Sequence, residues 1–242
     1  GSGPWTTPLR WLGVSKGKPR IAPRGHSFDQ GGYHVSRAGP IMVVMRFPRF
    51  RFRPGQADAM HLDVSYKGVN VLRDAGTFSY NAEGGEWFSG TAAHNTIEFD
   101  RRDQMPRLGR FLFGGWLEAE AVEPIIDNGV TASAAAVYTD AHGNRHHRAF
   151  TLSADALTCS DTIEGNFKEA CLRWRLATGS WLIADDIMRN EVLSIEIEFN
   201  GERVTPVLGT TNESRYYMQK TEIPEVSVRV NRPGTLVTKV TF

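Results

Sequence analysis

A carbonyl oxygen, a carboxylate and an imidazole, on Gln56, Asp74 and His94, are the side chains of this sequence best suited to hold an ion or move a proton. They come from three separate chain positions, as in sites built by a sheet, without the close ligand spacing of a zinc ribbon. Between them Leu62, Val64 and Tyr66 alternate with His61, Asp63 and Ser65, the period-2 pattern of a strand with one buried face. Lys67-Gly68 follows, and glycine accepts the positive φ that a two-residue hairpin demands. Val69 to Leu72 alternates again as the return strand. A hairpin whose outer ends lie side by side brings Gln56 near Asp74, and a later returning strand adds His94. Two readings stay open. The trio holds a metal through two oxygens and one nitrogen, short of the usual three strong ligands. Alternatively Asp74 accepts the His94 N–H, Gln56 bridges, and the loop is pinned without metal. Strand parity sets His61 on the face opposite Leu62 and Val64, where it lines a cleft as acid or ligand, or is simply solvated or satisfied in the core.

Other polar stretches carry weaker signals. Arg46 to Arg53 alternates cations with aromatics. Arg49, Arg51 and Arg53 read as an anion-binding lip, because guanidinium groups pair well with carboxylate and sulfate. The same alternation also describes an edge strand or loop with its phenylalanines inward. Arg102, Gln104, Arg107 and Arg110 follow in a second polar stretch, with Arg110 the first candidate carboxylate partner and a solvated arginine the alternative. Thr91 and Asn95 are expected to hold the His94 loop through side-chain to backbone hydrogen bonds. His146-His147 looks like a metal pair, but adjacent strand residues point to opposite faces. No Gly-rich phosphate loop, Gly-x-Ser-x-Gly elbow or kinase motif is present.

Taken together, Gln56-Ala57-Asp58, His61-Leu62-Asp63, Gly68 to Thr77 with Tyr80, Gly90 to Thr96, and Asp103-Gln104-Met105 with Arg107 and Gly109-Arg110-Phe111 resemble the heparinase II/III-like family of polysaccharide lyases. The resemblance is to their C-terminal β-sheet domain, close from about Arg53 to Trp116 and elsewhere only an all-β pattern. It implies β-elimination of an acidic, uronate-bearing polysaccharide. A base removes the proton next to the uronate carboxylate, and the site must neutralise that carboxylate as charge builds. In the family much of this work falls to an N-terminal α/α-toroid, here the expected partner of the chain along with the polysaccharide. The family pattern His-x-His-Ala-Asp has a catalytic and then a zinc-binding imidazole, but this chain has Pro54 and Gln56 at those positions. Proline cannot transfer a proton, and a neutral carbonyl is a poor zinc ligand beside imidazole or thiolate. Asp74 and His94 match the other two metal positions, so zinc at Gln56, Asp74 and His94 is implied with a weakened ligand set. Tyr80 matches a family tyrosine that orients substrate, with packing as its other role. The expected catalytic set is therefore His61, Tyr80 and Arg110, and the expected substrate contacts are Arg49, Arg51, Arg53 and Arg102. The family further suggests a periplasmic or secreted parent protein, and a domain inactive on its own. A non-catalytic carbohydrate-binding or scaffolding module is the other function that fits.

The elements that must position these residues are legible in outline. At 242 residues the chain buries a sizeable core as one large β domain. Apolar content of 40%, charged content of 23% and a net charge of +1 are ordinary for a globular protein and give no general pull toward nucleic acid or membrane. No run approaches the roughly 18 apolar residues of a membrane-spanning helix. The opening Gly1-Ser2-Gly3 reads as a cloning remnant on an excised C-terminal portion. Residues 1–32 read as a lead-in, with a helical turn at Pro8 to Trp11 and loop from Arg20 to Gly32. From residue 33 to 242, strands are expected at Tyr33–Arg37, Ile41–Phe47, Phe111–Val122, Val130–Tyr138, His146–Leu152, Leu157–Glu164 and Ala170–Ala177. Further strands are expected at Val192–Phe199, Arg203–Val207, Tyr216–Met218, Val226–Val230 and Leu236–Phe242. Turn residues recur roughly every eight to twelve positions, which predicts an all-β fold, a large antiparallel β-sandwich of stacked sheets with little helix. Cys159 and Cys171 are expected to be buried and unpaired.

Overall fold

A computed structural model describes residues 6–15 and 23–242; the rest of the expected lead-in lies outside the described residues. One helical turn, α1 (Thr6–Trp11), is present as the sequence predicts. Alternation then governs the first sheet, whose strands β1 (Gly25–Phe28), β2 (Tyr33–Ala38), β3 (Ile41–Arg46), β4 (Leu62–Tyr66) and β5 (Val69–Leu72) lie in sequence order. Ile41, Val43 and Met45 point inward from β3, and Leu62 and Val64 from β4. The β4–β5 turn has positive φ at both Lys67 and Gly68, the backbone whose twist matches the flanking strands.

The remaining strands follow as β6 (Ile97–Phe99), a short hairpin β7 (Arg107–Gly109) and β8 (Leu112–Phe113), then β9 (Ala121–Asp127), β10 (Ala132–Thr139), β11 (Arg145–Leu152) and β12 (Ala156–Glu164). After these come β13 (Ala170–Arg175), β14 (Leu182–Ala184), β15 (Ile187–Arg189), β16 (Ser194–Phe199), β17 (Glu202–Arg203), β18 (Val207–Glu213), β19 (Thr221–Val230) and β20 (Gly234–Thr241). A large sheet runs β14-β15-β16-β20-β12-β11-β10-β9, and a smaller one runs β18-β19-β13-β6. Val43 and Leu62 from the first sheet, Phe150 and Ile195 from the large one, and Ile97 and Trp174 from the small one share a single buried cluster. The fold is the all-β sandwich that the alternation predicts.

Departures from expectation have local causes. The stretch expected as loop up to Gly32 contains β1, which pairs antiparallel with β2 while Gly25 packs so closely on Ile125 that a Cβ there would sit 2.5 Å from its side chain. The strand expected over Phe111–Val122 is two pieces, β8 and the first two residues of β9. Between them the chain leaves the sheet through Gly114-Gly115, the latter with φ +54. Tyr216–Met218 is the turn between β18 and β19, not a strand. The three-residue strands β14 and β15 are too short for alternation to reveal. Cys159 and Cys171 are buried and unpaired, and His146 and His147 face opposite sides of β11.

His34 on β2 is fully buried and bonds the Ser27 hydroxyl through Nδ1 at 2.9 Å. Burial lowers its pKa to about 4, against smaller upward pulls from the Ala135 backbone and Asp29. The folded state thus keeps this ring neutral while the unfolded chain takes up a proton below pH 6.5, so stability falls as pH drops from 6.5 toward 4. Thermal melting followed by circular dichroism between pH 7 and 4.5 should show that decline, with a shallower slope for His34→Gln. Equal slopes for the two proteins would show that other groups carry it.

Candidate functional site

The β4–β5 hairpin sets the geometry. His61 immediately precedes β4, Asp74 follows β5, and His94 ends a short helical turn ahead of β6. The outer ends of the hairpin lie together, so Asp74 Oδ2 stands 2.7 Å from His94 Nδ1 and 3.7 Å from His61 Nε2. The two imidazoles meet edge to face with centroids 5.5 Å apart. Asp74 Oδ1 accepts the Gly76 N–H at 2.6 Å. Gly76 has φ +77, and a Cβ there would lie 2.1 Å from the Ser214 carbonyl oxygen, so only glycine lets the chain turn under the carboxylate. These groups line a cavity of about 320 Å³ with Tyr33, Arg46, Gln56 and Asp58. Gln56 Oε1, His61 Nε2 and His94 Nε2 are buried there without a hydrogen-bond partner.

The charges order themselves around Asp74. Burial alone raises its pKa, but the His94 imidazolium and its hydrogen bond, with His61 behind, hold it below the ordinary carboxylate range. Burial disfavours charge on His94, and Asp74 outweighs that, so the His94 pKa rises. His61 goes the other way. Burial lowers it to about 3, leaving a neutral ring that accepts the Asn95 N–H at Nδ1, 3.0 Å away. A neutral ring accepting at Nδ1 carries its proton on Nε2, toward Asp74. Among the described residues, His61, Asp74 and His94 offer ligand atoms that all lie within 4.8 Å of one another, and a proton on His61 Nε2 would have to leave before that ring could bind a metal. The unpartnered Gln56 oxygen lines the same cavity, and a carboxamide and a carboxylate beside imidazole suit oxygen-preferring divalent ions better than zinc.

Asn95 fixes this arrangement. Its Nδ2 donates to the Leu62 and Arg73 carbonyls, and its Oδ1 accepts the Arg175 N–H at 2.7 Å. Its own carbonyl accepts the Leu62 N–H and an Arg148 guanidinium N–H. Arg148 is fully buried, pairs with Asp161 through two bonds of 2.6 and 2.9 Å, and also holds the Met60 carbonyl. Gln104 ties Ala59 to Tyr138 from below. Asn95 and Thr91 hold the loop as the sequence predicts, although Thr91 does so by accepting the Gln104 N–H. Arg148 and Asp161 are absent from the sequence-derived set. Strand parity places Asp161 with Leu157, Cys159 and Ile163, which is the signal that could have found the pair.

A larger cavity of about 880 Å³ adjoins, lined by Arg53, Gln56, Tyr80, Glu83, Glu86, Arg110 and Phe111 among others. Gln56 lines both cavities. Tyr80, Arg110 and Arg53 thus share one space, whereas His61 lies in the smaller cavity. Arg110 donates to Asn81 Oδ1 at 2.5 Å. Arg49 and Arg51 line a separate groove, with Arg49 paired to Asp29 at 3.0 Å. Arg102 pairs with Asp100 at 3.1 Å and touches neither cavity.

Solved structures share the architecture. A structure described as heparinase III superimposes with a TM-score of 0.76 at 15% identity, over 98% of this chain and 38% of its own. Heparan sulfate lyase HepC from Pedobacter heparinus gives 0.75 at 16% identity, over 98% and 40%. A chondroitin AC lyase from Streptomyces coelicolor A3 gives 0.54 at 12%, over 97% and 35%. The chain therefore has the fold of the sheet portion of these lyases and spans about two fifths of the first two. No curated protein matches it. The family model described as heparinase II/III-like, C-terminal, matches residues 20–222, and the chain belongs to that family.

Asn95→Ala should leave the Arg175 N–H and the Leu62 and Arg73 carbonyls short of partners in a buried setting, at roughly 1–3 kcal/mol for each unmet group. Urea unfolding should register a loss of at least about 3 kcal/mol. A loss under about 1 kcal/mol would show that water or neighbouring groups replace the amide.

Proposed function

We propose that this chain is the sheet domain of a polysaccharide lyase that cleaves a uronate-bearing substrate by β-elimination, completed by a helical domain of its parent protein. The observation that best supports this is Gln56, which stands between the Asp74–His94 cluster and the cavity shared by Arg53, Tyr80 and Arg110. In the reaction a base takes the proton beside the carboxylate, a carbon–carbon double bond forms, and the glycosidic C–O bond breaks with its oxygen taking up a proton. Charge accumulates on the carboxylate, so fixed cations there lower the barrier. Arg110 and Arg53 serve that role, and Tyr80 orients the sugar ring. Glu83 and Glu86 line the same cavity, so it is formally balanced and better matched to a singly charged uronate than to a heavily sulfated ring. The Gly76 N–H and His94 hold the Asp74 carboxylate in place, with the neutral His61 ring packed beside them. A divalent cation, when bound by Gln56, Asp74 and His94, supplies fixed positive charge behind the cleft. With Pro54 at the position of the family's sheet histidine, the base comes from the helical domain. The absence of a proton-transferring group at Pro54 also supports the second reading, a carbohydrate-binding module without turnover.

The parent protein should form unsaturated uronate, seen as ultraviolet absorbance, while the chain alone should not. Arg110→Ala in the parent protein should lower kcat/KM by about 10²-fold or more, and Tyr80→Phe by about tenfold. Turnover by the isolated chain would remove the need for the helical domain. Failure of the parent protein to turn over any uronate polymer it binds would leave the binding module.

Elemental analysis of the purified protein should find close to one divalent ion per chain, lost in Asp74→Asn. A clearly sub-stoichiometric content would identify the cluster as hydrogen-bonded only.

A further inference from the structure

Tyr80 is gripped by a turn that lies far along the chain. Tyr217, between β18 and β19, accepts the Tyr80 N–H at its phenol oxygen, 3.1 Å away, and the Ser79 hydroxyl at 3.4 Å. Its ring packs on Tyr80 with centroids 5.6 Å apart, and Tyr80 meets Phe111 edge to face at 5.2 Å. The grip continues along the backbone. Ser214 N–H donates to the Ala75 carbonyl and Met218 N–H to the Phe78 carbonyl, each at 2.7 Å. Lys220 Nζ sits 4.1 Å from the centre of the Phe78 ring.

Two of these residues carry strain. Phe78 has φ +57 and Met218 φ +64, a region that bulky side chains avoid at a cost of order 1–3 kcal/mol each. The strained pair is joined by its own hydrogen bond, and it sits directly beside a tyrosine left 54% exposed. Phe111 and Tyr217 are likewise 44% and 55% exposed. Packing alone does not call for three half-exposed rings held in this way, whereas an aromatic face beside a cation suits the apolar side of a pyranose that also bears a carboxylate.

We propose that residues 214–220 form a clasp that positions Tyr80, and that Tyr80 and Phe111 give the large cavity a stacking face for a pyranose ring next to the Arg53–Arg110 pair. Tyr217 is a positioning residue in this scheme. The proposal rests on the reading of that cavity as the substrate cleft. It adds a contact insensitive to ligand charge, formed by this chain without the helical domain.

The test is binding of two probes to the 242-residue chain, followed by saturation-transfer NMR and titration. One is an unsulfated β-1,4-linked glucuronate hexasaccharide, and the other is the same oligomer with its carboxyls reduced to alcohols. The wild-type chain should bind both, the acid more tightly. Phe111→Ala and Tyr217→Ala should weaken both probes by about tenfold, whereas Arg110→Ala should weaken the acid alone. Tyr217→Phe, which keeps the ring and loses the hydroxyl, should fall between wild type and Tyr217→Ala. Phe111→Leu keeps the apolar bulk without the ring and should match Phe111→Ala, which guards against a folding defect. Wild-type affinity for both probes in the Phe111 and Tyr217 variants, at unchanged melting temperature, would overturn the proposal. So would failure of the wild-type chain to bind either probe, in which case the lyase reading would still be decided by turnover in the parent protein.

Discussion

One buried amide joins the parts of this domain that alternation alone could not. Asn95 sits where β4, β5 and β13 come together and uses every polar atom it has. Its side chain reaches Leu62, Arg73 and Arg175, and its backbone reaches His61, Leu62 and Arg148. At such a junction strand ladders lapse, and each lapsed group would cost free energy if buried alone. Satisfying several with one side chain closes the junction. The consequence for the site is direct, because the Asn95 N–H selects the tautomer of His61 and the next residue along is His94.

Arg148 extends this constraint to the large sheet. Its guanidinium reaches the Met60 and Asn95 carbonyls at 2.6 Å each while Asp161 neutralises it. A buried ion pair is a doubtful source of net stability, since both partners lose water. Here it defines a distance instead. Two carbonyls from separate segments are fixed to one rigid fork, and those segments carry His61 and His94. The orientation of the site is thereby inherited from a sheet that contributes no residue to it.

The sequence made some of this legible for identifiable reasons. The β4–β5 hairpin followed from alternation and a Lys67-Gly68 turn, and a closed hairpin implied that Asp74 would meet a returning His94. Parity counted back from β4 set His61 on the face opposite Leu62 and Val64, and there it lines the small cavity with Val44 and Asp63. The arginine run does not behave as a unit. β3 ends at Arg46, so no pleat governs the residues after it: Phe52 is 84% exposed while Arg49 folds back onto Asp29. Tyr217 was invisible because only long-range packing, across the β18–β19 turn, brings it to Tyr80.

The exchange of an imidazole for Gln56 gives the cluster a definite acid–base character. A carboxamide does not titrate, so the charge beside Gln56 comes from Asp74 and His94, with His61 held neutral and Arg46 paired to Asp58 on the same cavity wall. Asp74 raises the proton affinity of the His94 ring that would otherwise serve a metal. A proton and a divalent cation are then alternative partners for the same carboxylate–imidazole pair, and loading one must release the other. Either occupant would place positive charge in the small cavity that Gln56 shares with the large one. Under the proposed elimination, the cation required near the forming carbanion would come from the protonated His94 or from a metal bound in its place.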